Sequence, residues 1–475
     1  MHRHGIYTEK QTASRSNPVV AQVGIPFFIG AAPVQCAPSP APAGDVVLLR
    51  SWEEAVEKLG FVDYGAAAGK WAYSLCEAMH SHFRLYECQP AVFCNLLDPG
   101  AMSAAVPEAD VAVEDNRAAL PAEAIDSDAL TVKAAGGAGA AFVKGEDYDT
   151  YYHGGSLIIE LLETGGLYNA SALSVAYRAV TPGAVTAEKV AIGLQNIEKC
   201  LTSVGLVPDI VCAPGYSQDP AVAAVMATKT TINGLFRAKA LVDISTSEAR
   251  TYSEAFALKE AGSVMDRHQV ACWPMLKEKG RIYHMGTHLA GLMARVDDRN
   301  GGCPYESPSN KPFICDAIVL GTGEEVKLTH GEANILEAQG VVTALNFING
   351  ITCWGNYTAC YPASEDEEDY FISVSRMFDW VANTVTLSLW ERLDQPLNTR
   401  LRDSIVDTVN IWLNGLVGAG YMFGGFVETR EIDNPPESLK KGVINAIIHI
   451  APPPPFKEGN FILRYDASFI AAAFS

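Results

Sequence analysis

Ser217 has the surroundings that come nearest to a catalytic pattern. It lies in Gly215-Tyr216-Ser217-Gln218-Asp219, between an expected strand and an expected helix, where a hydrolase nucleophile elbow would hold its serine. The elbow needs a second glycine two residues after the serine so that strand and helix can approach closely, and Asp219 stands there instead. Asp219 has a simpler use as a helix N-cap, its carboxylate accepting from orphan N–H groups, with Pro220 preset for the first helical position. His284 and His288 have the spacing of zinc ligands on one helix face. However, Gly286 lies between them, no glutamate fills the place of a metallopeptidase base, and no third ligand follows by spacing. Gly136, Gly137 and Gly139 precede Lys144 without the Gly-Lys-Ser/Thr ending that puts a cation and a hydroxyl on a phosphate, so a surface turn is expected. The run Glu365-Asp366-Glu367-Glu368-Asp369 lacks the glycine turn and spaced oxygens of a calcium loop, and reads as a solvated loop that places negative charge at the start of a helix. None of the eleven cysteines forms a C-x-x-C pair, and buried reduced thiols are expected. The residues therefore offer no catalytic set, no metal site and no cofactor site.

The elements that would position these residues belong to a globular chain. Its 475 residues, 48% hydrophobic and 19% charged, suffice for two to four domains. A net charge of -20 opposes attraction to nucleic acid or anionic lipid. No apolar run approaches the roughly 18 residues of a membrane helix, and the start lacks a signal-peptide core, so synthesis in the cytoplasm is expected without membrane insertion.

The first apolar run, residues 23–30, reads as a buried strand and leaves residues 1–22 as a candidate arm. A strand over 46–49 leads to a helix opened by Ser51, with Glu54 at capping-box spacing and Gly60 as its stop. A helix around 71–83 and a strand over 91–97 continue an α/β rhythm. Between about 100 and 182 the pattern shifts to short alternating stretches separated by Gly and Asp, as in an inserted β-rich domain. The rhythm then resumes with a helix over 186–203, a strand over 210–213, a helix over 220–238 and a strand over 240–243. The last third has helical spacing over 369–393 and 397–417, strand candidates over 427–432 and 442–450, and the break Pro452-Pro453-Pro454-Pro455. The following Asn460-Phe461-Ile462-Leu463-Arg464-Tyr465 is strand-like, so a C-terminal arm or edge strand is expected.

Several segments, in order, make the chain resemble the contractile tail sheath family of phages and related injection machines. Gly5-Ile6-Tyr7-Thr8-Glu9 and Gly24-Ile25-Pro26-Phe27-Phe28-Ile29-Gly30 resemble the family's opening arm and first core strand. Gly205-Leu206-Val207-Pro208, Ala213-Pro214-Gly215-Tyr216-Ser217 and Asp219-Pro220-Ala221-Val222 are similar to its strand-turn-helix. Ser307-Pro308-Ser309-Asn310-Lys311 resembles a later loop. Gly340-Val341-Val342 and Cys353-Trp354-Gly355-Asn356-Tyr357-Thr358 resemble the entry to its C-terminal domain, with Tyr357 where the family commonly has arginine. Ile372-Ser373-Val374-Ser375-Arg376-Met377 and residues 451–463 resemble that domain and the closing strand.

The resemblance implies a multidomain α+β and α/β fold: an N-terminal arm (1–22), a discontinuous α/β core (23–100 and 183–345), an inserted β-rich outer domain (101–182), a C-terminal α+β domain facing a tube (346–455), and a closing strand with arm (456–475). It implies a structural subunit, not an enzyme, that forms stacked hexameric rings around an inner tail tube protein, with baseplate and tail terminator proteins as further partners and no cofactor. The arms, through Ile6, Tyr7, Phe461, Ile462, Leu463 and Tyr465, would add strands to neighbouring copies. Contraction would drive the tube through an envelope without a nucleotide, in a virion tail or tail-like particle assembled in a bacterial host. The alternatives are an α/β hydrolase using Ser217 and another self-assembling shell or tube component.

Overall fold

The computed structural model of the chain describes residues 19–65, 68–137, 139–466 and 468–473. Its centre is an eight-stranded sheet in the order Val46–Leu49, Ala91–Asn95, Pro26–Gly30, Ile210–Cys212, Lys239–Asp243, Gln269–Cys272, Val341–Phe347, Gly350–Trp354. The six inner strands are parallel and the two outer ones antiparallel. Parallel strands need helices over both faces. Accordingly, alternate residues of one strand enter opposite cores: Phe27 and Ile29 belong to the core that includes Leu194, Val222 and Leu336, and Phe28 to the one that includes Leu59, Met79 and Leu289.

Local signals account for most of these elements. Ser51 opens the Trp52–Leu59 helix by accepting from Glu54 N–H, although the Glu54 carboxylate reaches back to Arg50 N–H instead of completing a reciprocal box. Gly60 ends the helix at φ +71°, and a Cβ there would stand 2.2 Å from the Pro33 carbonyl oxygen. The helix expected over 220–238 stops at Lys229. Thr231–Ile232 and Phe236–Arg237 instead form a small hairpin turned by Asn233 and Gly234, both at positive φ, so the Asn-Gly turn overrides the helical spacing. The helix expected around 71–83 is α-helical only over Ser74–Met79 and continues as a wider turn over His80–Leu85.

Residues 103–180 build two smaller sheets around a core of their own, including Leu120, Val132, Leu157, Ile159 and Val175. The strands that enter and leave this region, Ser103–Ala112 and Ala172–Val180, pair antiparallel, and Thr181 N–H donates to Met102 O at 2.8 Å. Both connections thus cross at one place, which suits an insertion at a surface site.

The third unit packs the helices Ile372–Leu389 and Thr399–Gly418 against a two-stranded ribbon, Gly424–Glu428 with Ile447–Ala451. Met377, Trp380, Val409, Leu413 and Val427 form its core. Residues 19–23, expected within or beside a free arm, lie on this unit. Ala21 is buried, its N–H donating to Thr384 Oγ1 at 3.1 Å and its carbonyl accepting from Trp380 Nε1 at 2.8 Å. Among the described residues no helix is long and apolar enough to cross a membrane.

Candidate assembly surfaces

A doubly wound sheet binds ligands beyond the carboxyl ends of its strands, where the strand order reverses. Here that point lies between Pro26–Gly30 and Ile210–Cys212, and side chains fill it. Ser74 Oγ accepts from Ala31 N–H at 3.0 Å and would stand 2.1 Å from a Cβ on Gly30, with Tyr216 beside it. Ser217 is 1% exposed. Its hydroxyl donates to Asp243 Oδ2 at 3.1 Å and accepts from Asp243 N–H at 3.1 Å, so it is committed to holding the turn. Asp219 caps the next helix by accepting from Ala221 N–H at 2.8 Å and Val222 N–H at 3.4 Å, and Pro220 occupies the first helical turn.

The histidines are structural in the same way. His284 precedes the Met285–Arg299 helix and places Nδ1 2.9 Å from Glu77 Oε2. Burial works against a charge on His284, but the Glu77 carboxylate and the nearby Asp243 lift its pKa to about 9. His288 is fully buried, its Nδ1 3.1 Å from the Tyr86 hydroxyl, and burial pulls its pKa down to about 3. Among the described residues no cluster of His, Cys, Asp and Glu could hold a metal ion. Lys144, after the glycine-rich stretch, pairs with Asp126 at 2.8 Å, and Asp369, at the end of the acidic run, pairs with Arg267 at 2.8 Å. All eleven thiols are free and none is exposed.

Two buried ion networks bolt the Ile372–Leu389 helix to the central unit. Arg376 reaches Asp209 Oδ2 at 2.8 Å and Asp297 Oδ2 at 2.5 Å. Lys239, buried in the sheet, reaches Asp379 Oδ2 at 2.8 Å and donates to Ser375 Oγ at 2.7 Å. Sequence reasoning missed both, because each joins residues far apart in the chain and no local spacing marks such a pair. A charged residue among apolar ones, as Lys239 is beside Ala240-Leu241-Val242, was the one available hint.

The open surfaces lie elsewhere. The ribbon has only two strands, with Phe426 and His449 stacked outward and Val427 turned into the core. Val427 N–H donates to Asn410 Oδ1 at 2.8 Å, so the Gly424–Glu428 edge is partly satisfied. Among the described residues no side chain bonds the backbone at the outer edge of Ile447–Ala451, which leaves that edge open to a further strand. Beyond it, residues 452–466 form neither helix nor strand, where the sequence suggests a closing strand. A strand needs a hydrogen-bonded neighbour, and this segment has none among the described residues. Phe461, Ile462, Leu463 and Tyr465 are 82 to 97% exposed, followed by a short helix, Ser468–Ala473. Ile6 and Tyr7 lie outside the described residues.

No family model matches the chain. It is 27% identical to the tail sheath protein of Burkholderia phage BcepMu across 98% of this chain and 97% of that one. It is 23% identical to the tail sheath protein of Escherichia phage P2, across 59% and 68%. Among solved structures it superposes on the PVC sheath complex of an extracellular contractile injection system in the contracted state, with TM-score 0.58, 12% identity and 99% of both chains covered. It also superposes on a chain of the anti-feeding prophage helical sheath in the contracted state, with TM-score 0.57, 13% identity and 97% and 98% covered.

Proposed function

From its place in the contractile tail sheath family, to which the chain belongs, we propose that the protein polymerises as stacked hexameric rings around an inner tube and is linked to its neighbours by terminal arms. It is a structural sheath subunit. The observation that carries the proposed linkage is the presence, among the described residues, of an unpaired arm and an unpaired sheet edge in one molecule. Residues 460–465 offer alternating backbone donors and acceptors, and the Ile447–Ala451 edge of another copy offers the complement. Strand addition of this kind depends little on side-chain identity, so linked subunits can pivot without separating.

The extent of exposed surface supports the same reading. The chain exposes 23771 Å², against about 17,000 Å² for a compact monomer of its mass. The exposed residues 456–465 account for part of the excess, and an arm of that kind gains order by joining a sheet.

In this reading residues 23–100 and 183–345 are the core of the subunit. Residues 101–182 are an outer domain, and residues 346–455 face the tube. Residues 1–22 and 456–475 supply the links, through Ile6 and Tyr7 at one end and Phe461, Ile462, Leu463 and Tyr465 at the other. The tube protein, the baseplate and a terminator are its further partners. Contraction moves rigid subunits from an extended lattice to a wider, shorter one. Each subunit need contribute only a few kcal/mol, the scale that separates two packings of one interface.

The test compares the full chain with forms lacking 1–18, 456–475 or both, by electron microscopy and thermal unfolding. Each deletion is expected to leave a cooperatively unfolding monomer that builds no long tubular polymer, and Ile462→Pro to weaken assembly if its N–H faces the partner strand. Normal tubes from the double deletion would overturn the arm linkage.

A further inference from the structure

Among the described residues, Lys457 is the side chain of segment 452–466 that makes polar contacts with the subunit's own core. Phe456 before it is 86% exposed and Leu463 after it 97%, but Lys457 turns inward. Its ammonium lies 3.9 Å from the centroid of the Tyr357 ring, donates to the Tyr357 hydroxyl, and stands 3.7 Å from Glu337 Oε1.

The partners are set by the central unit. Tyr357 is buried, stacks on Tyr361 at 4.1 Å and meets Tyr370 at 5.2 Å with its ring nearly perpendicular. Glu337 sits on the His330–Ala338 helix with its side chain 8% exposed, and its Oε1 also accepts from Asn356 N–H at 3.3 Å. A carboxylate so far from water calls for a counter-charge, and among the described residues Lys457 is the one cation paired with it.

The approach to this clamp is stiff. Pro452 to Pro455 fix four successive φ angles and favour an extended spacer of about 12 Å. The spacer runs from the Ile447–Ala451 strand across a cleft of about 870 Å³ walled by Ser309, Asn334 and Trp354. The arm is therefore held at both ends of the spacer, by the ribbon behind it and by the core in front.

We propose that Lys457 is the positioning residue that sets the launch point of the C-terminal arm, so that residues 459–466 leave every subunit in one direction toward a second copy of this chain. The inference rests on the reading that the arm pairs with a neighbour. Without the clamp the spacer swings about Ala451, and the arm samples a volume instead of a direction, which lowers its effective concentration at the neighbouring edge.

The test uses full-length Lys457→Met, Lys457→Arg, the double variant Lys457→Met with Glu337→Gln, and the form lacking 456–475. In the monomer, Lys457→Met is expected to speed chymotrypsin cleavage after Phe456 several-fold while leaving cleavage after Phe461 unchanged. In assembly it is expected to need about tenfold more protein to polymerise. Lys457→Arg, which keeps the cation, should restore both. The double variant removes the unpaired buried carboxylate, so it should keep the assembly defect with a wild-type thermal midpoint. If Lys457→Met or the double variant polymerises at the wild-type concentration while the arm deletion does not polymerise, the launch role falls and the arm linkage stands. If the arm deletion polymerises normally, both fall.

Discussion

In the central sheet every strand from Ala91–Asn95 to Val341–Phe347 has a partner on each side and helices over both faces, whereas among the described residues the strands Gly424–Glu428 and Ile447–Ala451 have one partner each and one covered face. The two regions are also held differently. The central unit buries committed polar groups at the filled crevice beyond its strand ends, namely Ser217 with Asp243 and His284 with Glu77. The ribbon keeps Phe426 exposed and, among the described residues, leaves backbone donors unpaired along an edge. One chain thus carries a sealed sheet that resists change and an open sheet suited to accept a strand, joined by charges buried between them.

The junction should give the largest effect. Arg376→Ala leaves Asp209 and Asp297 buried without their cation, and a loss of about 3–5 kcal/mol is expected in denaturant unfolding. If Arg376 only packs, Arg376→Met will match the wild type, and the two regions are not joined through charge. A loss on that scale that separates unfolding into two transitions would place the joint between the two regions.

The acid and alkaline limbs of stability should come from the sealed region. Burial lowers the pKa of His80 and of His82 to about 4 and of His288 to about 3. Each is neutral in the fold, so its contribution is intact above the unfolded value of about 6.5 and is lost as the pH falls below it. His284, raised to about 9, behaves oppositely: its contribution is complete below about 6.5 and is lost as the pH rises through 9. The thermal midpoint should therefore fall on both sides of neutrality. His284→Gln should flatten the alkaline limb alone, and an unchanged alkaline limb would remove the His284–Glu77 pair from the account.

The smallest effect is expected at Ser217. Ser217→Ala deletes two hydrogen bonds to Asp243 and should cost about 1–3 kcal/mol by thermal unfolding, and no change in hydrolase activity is expected. A serine-reactive probe labelling the folded protein at Ser217 would contradict its commitment to the turn.

Much of the fold was legible because local physics dominates there. Asp219 before Pro220, Ser51 before the Trp52–Leu59 helix, and the apolar run at Pro26–Gly30 each act through neighbours a few residues away, so the sequence alone determined those caps and strands. The Asn233–Gly234 turn was equally local, and its signal lost to an apparent helical period. What only the tertiary structure decided is pairing across long separations. Arg376 with Asp209 and Asp297, Lys239 with Asp379, and Lys457 with Tyr357 and Glu337 join side chains by position in space, and no period or cap encodes such a meeting. The closing segment marks the boundary between the two kinds of information. Residues 460–465 carry the apolar and aromatic residues of a strand, yet a strand exists only where a second backbone supplies its hydrogen bonds, and none of the described residues supplies them.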